Sequence, residues 1–561
     1  MTLSARSATL WAVFVWVLLG LPLNAAIAQE SPTSSLPSGQ ELEAQRATVG
    51  VIRIANDNVF DTSLAEENNT LFRLANRLHI KTRADVIAQQ LLFKSGEPYS
   101  DRLLHESERI LRRNRYLYDA DIVPTAYHDG IVDLEVRTRD VWTLKPGINL
   151  GRSGGENSGG FEIQESNLLG YGKEITIARQ TNVDRTANEY RYYDPRLLSS
   201  WNRLFVSYSD NSDGRRQELW ADHPFYSLDS RWAANSSALD WTRTDARYNL
   251  GQIVDEFHHH QELYQLGGGW SYGMHDGWIE RLNFGFNYLR DRFAATTTNL
   301  SASELPPDRT LAYPFIGFAL LQDNYEERKN QNQIERTEDL YAGAYLQGSV
   351  GYAQTSFGAD RTAWLWTLAG GTSIESPTRK HTVVLSSTIS GRVETGAAQN
   401  VVGNAIAKYY WRVADRQLFY ASLQATATER LDADKQVLLG GDNGLRGYPL
   451  RYQDGTTSAL LTLEHRVFTN YYPFRLFHLG GAVFFDIGRT WGVGNGSLAN
   501  TTWPTGTEPQ QGLLKDVGFG LRFGSSRSAF GNVLHVDLAF PLDGDPSIKK
   551  VQLVVEAKQS F

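Results

Sequence analysis

For roughly 400 residues, from about Gly147 to the end of the chain, apolar side chains recur at alternate positions and no helical period is present. Runs such as KEITIARQ, LFVSYSD, ERLNFGFNYLRD, AYPFIGFALL and TVVLSSTISGRV follow one another, separated by Gly, Asn, Asp and Pro. The later ones sort by face. In ALLTLEHRVF, Leu461, Leu463 and Val467 share one side and Thr462, Glu464 and Arg466 the other. In GAVFFDIG, Val483, Phe485 and Ile487 oppose Asp486, and in DVGFGLRF, Val517, Phe519, Leu521 and Phe523 oppose Asp516, Gly518, Gly520 and Arg522. In the terminal VQLVVEAKQSF, Val551, Leu553, Val555 and Phe561 oppose Gln552, Glu556 and Lys558. One face is bulky and oily, the other carries glycine and full charges. A soluble sandwich buries its oily face against a second sheet. A membrane barrel turns that face to lipid and lets the charges line a wet interior. The 26 Tyr, 25 Phe, 14 Trp and 49 Gly suit the second solution. At roughly 25 residues per strand with its turn, an all-β transmembrane barrel of about 16 antiparallel strands is expected over residues 146–561, closure favouring an even number.

The N-terminus reads as an export signal over residues 1–28, with Arg6 as the positive region, Leu10–Leu23 as the apolar core and Ala26-Ile27-Ala28 as the cleavage site. The apolar run is short for a membrane helix and is broken by Pro22. No later stretch approaches eighteen apolar residues. The chain has no cysteine, hence no disulfide and no thiolate metal site. A net charge of −8 gives no electrostatic case for binding nucleic acid.

Residues 29–48 read as a polar linker, and residues 49–145 as a small α+β domain. VIRIA (Val51–Ala55) is strand-like. Ile80, Ala84, Ile87 and Leu91 share one face of a predicted helix, and Ser100 caps a second one carrying Leu103, Leu104, Ile110 and Leu111. Arg112, Arg113 and Arg115 follow in or just past its last turn. A hairpin turning at Asp129-Gly130 completes the order strand–helix–helix–strand–strand, and Pro124 marks its first strand as an edge.

Between strand patterns lies LLGGDNGLRGYPLRYQDG (Leu438–Gly455), with Arg446 set among glycines. Two placements are open from spacing alone. Folded into the barrel, Arg446 meets the inward carboxylates of Asp486 and Glu464. On the surface, it is an ordinary loop residue and Asp486 a solvated pore charge.

The small domain, then a barrel, then LRGY (Leu445–Tyr448), VFFDIG (Val483–Gly488), GFGLRF (Gly518–Phe523) and a terminal Phe561 together resemble one superfamily: BamA-like and TamA-like outer-membrane assembly factors and two-partner-secretion transporters. The small domain resembles their periplasmic POTRA module, most clearly over Phe93–Pro124, and Glu165–Ala178 resembles the opening of their barrel. The resemblance implies that Arg446, Gly447 and Tyr448 form the tip of a loop anchored in the lumen on Asp486, with Glu464 a second partner. It makes Gly518, Gly520 and Arg522 a motif of the barrel wall, and Phe561 the C-terminal barrel signal. It implies assembly or translocation of polypeptides at the bacterial outer membrane, clients adding to the edge around Asp121, Ile122 and Val123 by main-chain pairing. A seam between the first and last strands would open sideways, or the loop would leave the lumen. The partners implied are the lipid bilayer and unfolded client polypeptides, with periplasmic or lipoprotein partners as further candidates. The chain departs from the family in having room for one POTRA module where two or more are usual, and in Gln559, where an aromatic or aliphatic residue is usual. The competing function is a passive or ligand-specific outer-membrane channel.

No enzyme, cofactor or metal is expected. There is no Gly-x-Ser-x-Gly elbow, and HESER (His105–Arg109) lacks the second histidine of a zinc helix. His258–His260 has no acidic partner at ligand spacing along the sequence. Ser209–Arg216 reads as a turn lacking the closing glutamate of a calcium loop, and Gly151–Gly160 as a flexible lead into the barrel. Trp411–Arg416 and Tyr471–Arg475 mix aromatic and basic residues in the way of a membrane–water interface.

Overall fold

The structure, a computed structural model, describes residues 36–297, 305–495, 512–529 and 533–558. The export signal and Phe561 lie outside the described residues.

The small domain is built from β1 (Thr48–Asp57), β2 (Leu117–His128) and β3 (Ile131–Asp140), which form a sheet in the order β1-β3-β2. β3 runs parallel to β1 and antiparallel to β2, so β2 is an edge, as Pro124 requires. Val132, Leu134 and Val136 alternate inward from β3 against Leu104 and Leu111 of the helix Asp101–Arg112. The remaining helices are Gly39–Ala44, Thr70–Leu78 and Ala84–Ala88, giving α1 to α4 in chain order with Asp101–Arg112 as α4.

Two expectations are corrected here. The second half of the linker is α1: Ser38 and Glu41 close a reciprocal capping box, and Leu42 is fully buried in the domain core. The helix expected over residues 80–91 shrinks to α3. Ahead of it the chain stays extended, because the Thr82 N–H is held by Asp140 at 2.7 Å and the Arg83 N–H by the Gly170 carbonyl at 3.1 Å. A helix not marked by that periodicity, α2, starts instead at Asn69, whose side chain accepts from the Phe72 N–H.

From residue 144 to 558 the chain forms one closed, all-antiparallel barrel of 20 strands, not about 16. The expected number was low because the connections are short. Two-residue turns such as Gly154–Gly155, Asp276–Gly277 and Thr395–Gly396 leave about 21 residues per strand and turn. Gly151–Gly160, read as a flexible lead, is the first of these hairpins, joining Leu144–Ser153 to Glu156–Glu165. Alternation holds: in Leu514–Ser525, Phe519 and Leu521 are exposed on the outer wall while Asp516 and Arg522 are buried inside. No helix among the described residues is long and apolar enough to cross a membrane; the exposed apolar side chains lie on the outer faces of the barrel strands.

Closure is uneven. Neighbouring strands elsewhere share at least seven register pairs, whereas the last strand, Gln552–Lys558, meets the first, Leu144–Ser153, at Val555↔Arg152 alone among the described residues.

The small domain sits on the rim where the barrel begins. Arg527 donates to the Val59 carbonyl at 2.5 Å and pairs with Glu67, and Arg475 pairs with Glu66 at 2.5 Å. Two segments leave the wall and turn into the barrel. On the small-domain side, a hairpin of Tyr325–Arg328 and Glu338–Tyr341 lies between the strands Arg309–Gln322 and Tyr345–Ala353. On the opposite side, the arginine loop, braced by pairing of Val437–Leu439 with Gln453–Gly455, lies between Gln417–Glu429 and Thr457–Phe468.

Candidate functional site: a lumen held from both ends

Arg446 is buried in the lumen, which settles the two placements left open by its spacing. Its Nε and Nη2 donate to the two oxygens of Asp486 at 2.7 and 3.0 Å, and Nη1 donates to Glu464 at 2.9 Å. Asp537 adds a third carboxylate 3.5 Å from Nη1. The guanidinium lies 3.4 Å from the ring centroid of Phe484. An arginine can use all of this because its planar fork matches a carboxylate edge while its face stacks on the ring. Next to it, the Gly447 N–H donates to Asp516 at 3.1 Å and the Tyr448 hydroxyl to the Lys515 carbonyl at 2.7 Å. Leu445, Tyr448, Tyr452 and Leu439 pack with Leu460 and Leu514 into a cluster that fixes the loop on the wall.

The wall motif explains itself through close approach. A side chain at Gly518 would overlap the Phe484 ring, its Cβ falling 2.2 Å from Cζ, and one at Gly520 would overlap the Asp537 carboxylate at 1.8 Å. The glycines therefore let Phe484 and Asp537 lie where Arg446 needs them. Arg522 pairs with Asp537, and both are fully buried.

Several residues of the site were not singled out from sequence. Arg466, two positions from Glu464 on the same face, donates to the other Glu464 oxygen at 2.8 Å and to the Gln331 carbonyl at 3.1 Å. Gln331 belongs to the inserted hairpin, whose Ile334 is buried among Tyr410, Leu418 and Phe468 inside the barrel. Alternation placed Arg466 inward, but nothing local announces that residues 329–337 enter the lumen. At the loop's base, Arg309 and Arg392 pair with Asp432 at 2.7 and 2.6 Å, tying it to the far wall.

The hairpin is also gripped by the small domain. Arg112 of α4 donates to Asp339 at 2.6 Å and Glu327 at 2.7 Å, and the Tyr118 hydroxyl of β2 to the Glu335 carbonyl at 2.9 Å. Asp121, Ile122 and Val123 do lie on the edge strand. Two of the edge's main-chain groups are already taken by α4, however: the Ile122 N–H by Glu108 at 2.7 Å and the Ala120 carbonyl by Arg112 at 2.8 Å.

The histidine run is corrected by the sheet. His259 points inward between Asp245 and Asp291 at 2.7 and 3.1 Å, while His260 faces outward with Asp240 and Glu262 within ligand distance. Strand pairing brings Asp240, Asp245 and Asp291 to the run from neighbouring strands, and Glu262 lies two positions along the same strand, on the same face as His260. His105, Glu108 and Glu327 form a second such group.

Fold and site together define a closed β-barrel whose lumen is occupied by an arginine-anchored loop. No protein-family model and no curated protein matches the chain. Among solved structures it is similar to CdiB from Escherichia coli, at 12% identity over 92% of this chain and 77% of that one, TM-score 0.45. It is similar to BamA from Haemophilus ducreyi, in a form lacking POTRA domains 1–3, at 11% identity over 91% and 85%, TM-score 0.37. The FrpB iron transporter of Neisseria meningitidis is similar at 7% identity over 92% of each chain, TM-score 0.39. These are distant likenesses of barrels.

Proposed function

We propose that this chain is an outer-membrane assembly or translocation factor whose small domain, a single POTRA-like module in the periplasm, receives extended client polypeptides. The observation that carries the reading is the seam. A closed sheet has no edge to offer, and the one wall contact held, among the described residues, by a single register pair is where an edge can be made. A client strand pairing there would satisfy its backbone before meeting lipid, where an unpaired group is costly.

The polar contacts suggest how docking is coupled to opening. A client strand that adds to β2 has to displace Glu108 and Arg112 from the Ile122 N–H and the Ala120 carbonyl. Arg112 also holds the hairpin through Asp339 and Glu327. Its displacement loosens the hairpin, which withdraws Gln331 from Arg466 and weakens the hold of Arg466 on Glu464, the residue shared with Arg446. Client binding at the edge would thereby unlock the lumen from the side on which the client arrives. No bond-breaking chemistry enters this sequence.

The test is a quantitative outer-membrane proteome after depletion, complemented by the full-length protein or by one lacking residues 49–145. A defined set of barrels or secreted proteins is expected to fall and to be restored by the full-length protein alone. An unchanged proteome with reduced uptake of a small solute would make the chain a channel.

A further inference from the structure

Three turns on the small-domain rim repeat one conformation with one chemistry. Leu169-Gly170, Leu198-Ser199 and Phe474-Arg475 are each a pair of successive residues in the left-handed region, with φ of 54°, 54° and 55° at the bulky first residue. The main-chain hydrogen bonds correspond: 170→167 and 171→168, 199→196 and 200→197, 475→472 and 476→473. Such turns are normally built from Asn, Asp or Gly, because a bulky side chain is strained there. The same rim uses the ordinary solution at Asp276-Gly277.

The bulky residues are also bare. Leu169, Leu198 and Phe474 are 61%, 90% and 81% exposed. Leu250 adopts the same backbone at the opposite rim, but it packs into the cluster of the arginine loop. No hydrophobic cluster among the described residues plays that part for the other three. Each has a basic residue stacked on an aromatic ring beside it: Arg83 on Tyr171 at 4.5 Å, Arg196 on Trp201 at 3.2 Å and Arg475 on Tyr472 at 5.5 Å. Each closes a hairpin that carries exposed apolar residues on its outer wall near the turn: Ile163 and Ile175, Val206, and Phe477 respectively. In barrel order, counted from Leu144–Ser153, the three turns lie within four strands of the seam on either side: between the second and third, the fourth and fifth, and the sixteenth and seventeenth of the 20 strands. The turns Asp276–Gly277, 376–380 and 415–416, away from the seam on the same rim, have polar tips.

We propose that Leu169, Leu198 and Phe474 are membrane anchors, inserted at the boundary between headgroups and acyl chains of the phospholipid leaflet on the small-domain side. The adjoining cation–aromatic pairs lie at phosphate level and fix the rim beside the seam at a set depth. The inference rests on the chain being a membrane barrel. The occupant is lipid: the tips continue the lipid-facing wall, and an aromatic, a cation and an apolar tip together are the chemistry of that interface.

The test exploits the absence of cysteine. Single variants Leu169→Cys, Leu198→Cys and Phe474→Cys of the full chain, with Asp276→Cys for a polar tip and Leu521→Cys for the outer wall, are spin-labelled in phospholipid nanodiscs. Collisions with oxygen are compared with those of a water-soluble nickel chelate. Oxygen should dominate at 169, 198, 474 and 521, and the ratio should reverse at 276. Labels at 169, 198 and 474 as open to nickel as that at 276, with 521 protected, would overturn the anchors and leave the barrel standing. Nickel access at 521 as well would overturn the membrane reading itself. Protection of the three tips only after a polypeptide is added would also overturn the proposal, making the tips a protein-docking surface.

Discussion

Arg446 and Arg466 share one carboxylate: Glu464 accepts from the first on one oxygen at 2.9 Å and from the second on the other at 2.8 Å. Arg446 arrives on the loop from one end of the barrel. Arg466 holds Gln331 of the hairpin arriving from the other. Removing the shared acid leaves two buried guanidinium groups short of a partner, a loss of about 3–5 kcal/mol where a buried pair is broken. Glu464→Gln is therefore expected to lower the unfolding midpoint and to open both 431–456 and 329–337 to protease. The two arginines should couple, so that Arg446→Ala combined with Arg466→Ala costs less than the two single losses added. Strictly additive losses with both segments still protected would sink the idea.

Arg446→Lys should behave almost as Arg446→Ala. An ammonium cannot meet both oxygens of Asp486 in parallel, reach Glu464 and lie flat on Phe484 at once. Activity in client assembly is the readout, with outer-wall spectra confirming an intact barrel. Full activity of the lysine variant would show that only the charge matters.

The seam prediction is chemical. Arg152 and Val555 are register partners in an antiparallel pair, and the protein has no competing thiol. Arg152→Cys with Val555→Cys should form a disulfide on oxidation, stop client assembly and recover on reduction. Assembly that continues with the bond demonstrably formed would exclude opening at this place.

How far the sequence could be read follows from the range of each signal. Alternation is local, so the inward direction of Asp486, Glu464 and Arg522 was legible from period two alone. The Arg446 pairing was legible only as one of two placements, because spacing does not say whether a loop turns in or out. The number of strands was misjudged, since it depends on how many connections are tight two-residue turns. Residues 329–337 were invisible: Gln331 and Ile334 look like any polar connection until the hairpin is seen inside the wall. Asp240 was missed beside His260 for a similar reason, since it becomes a neighbour only through strand register, whereas Glu262 sits two positions along the same strand and was legible from period two.

His105 gives the small-domain contact a pH dependence. The hydrogen bond between its Nδ1 and Glu108 at 3.0 Å holds the imidazole above its ordinary value, with the charges of Glu108, Asp101 and Glu327 adding to this and partial burial opposing it. The folded value is the higher one, so the stabilisation is complete below the unfolded value of about 6.5 and is lost as pH rises through the raised value. The side chain is more than half exposed, which limits the effect to less than about 1 kcal/mol. Cleavage within 329–337 should become faster as pH rises through that value, and His105→Gln should flatten the profile. A slope unchanged by the substitution would place the titrating group elsewhere.

Arg112 links the edge strand to the hairpin and not directly to the arginine loop. It is the only described residue that donates both to the Ala120 carbonyl of the edge strand and to Asp339 and Glu327 of the hairpin. Arg112→Ala should free the hairpin on the small-domain side while Arg446 remains seated on Asp486, since those two share no group with Arg112. Protease should then reach 329–337 but not 431–456, and single-channel recordings should show brief openings absent from the native protein. Arg466→Ala acts one contact further along and should expose both segments. If Arg112→Ala exposed the arginine loop as readily as the hairpin, the two insertions would be one cooperative plug, and release at the edge strand would open the whole lumen in a single step.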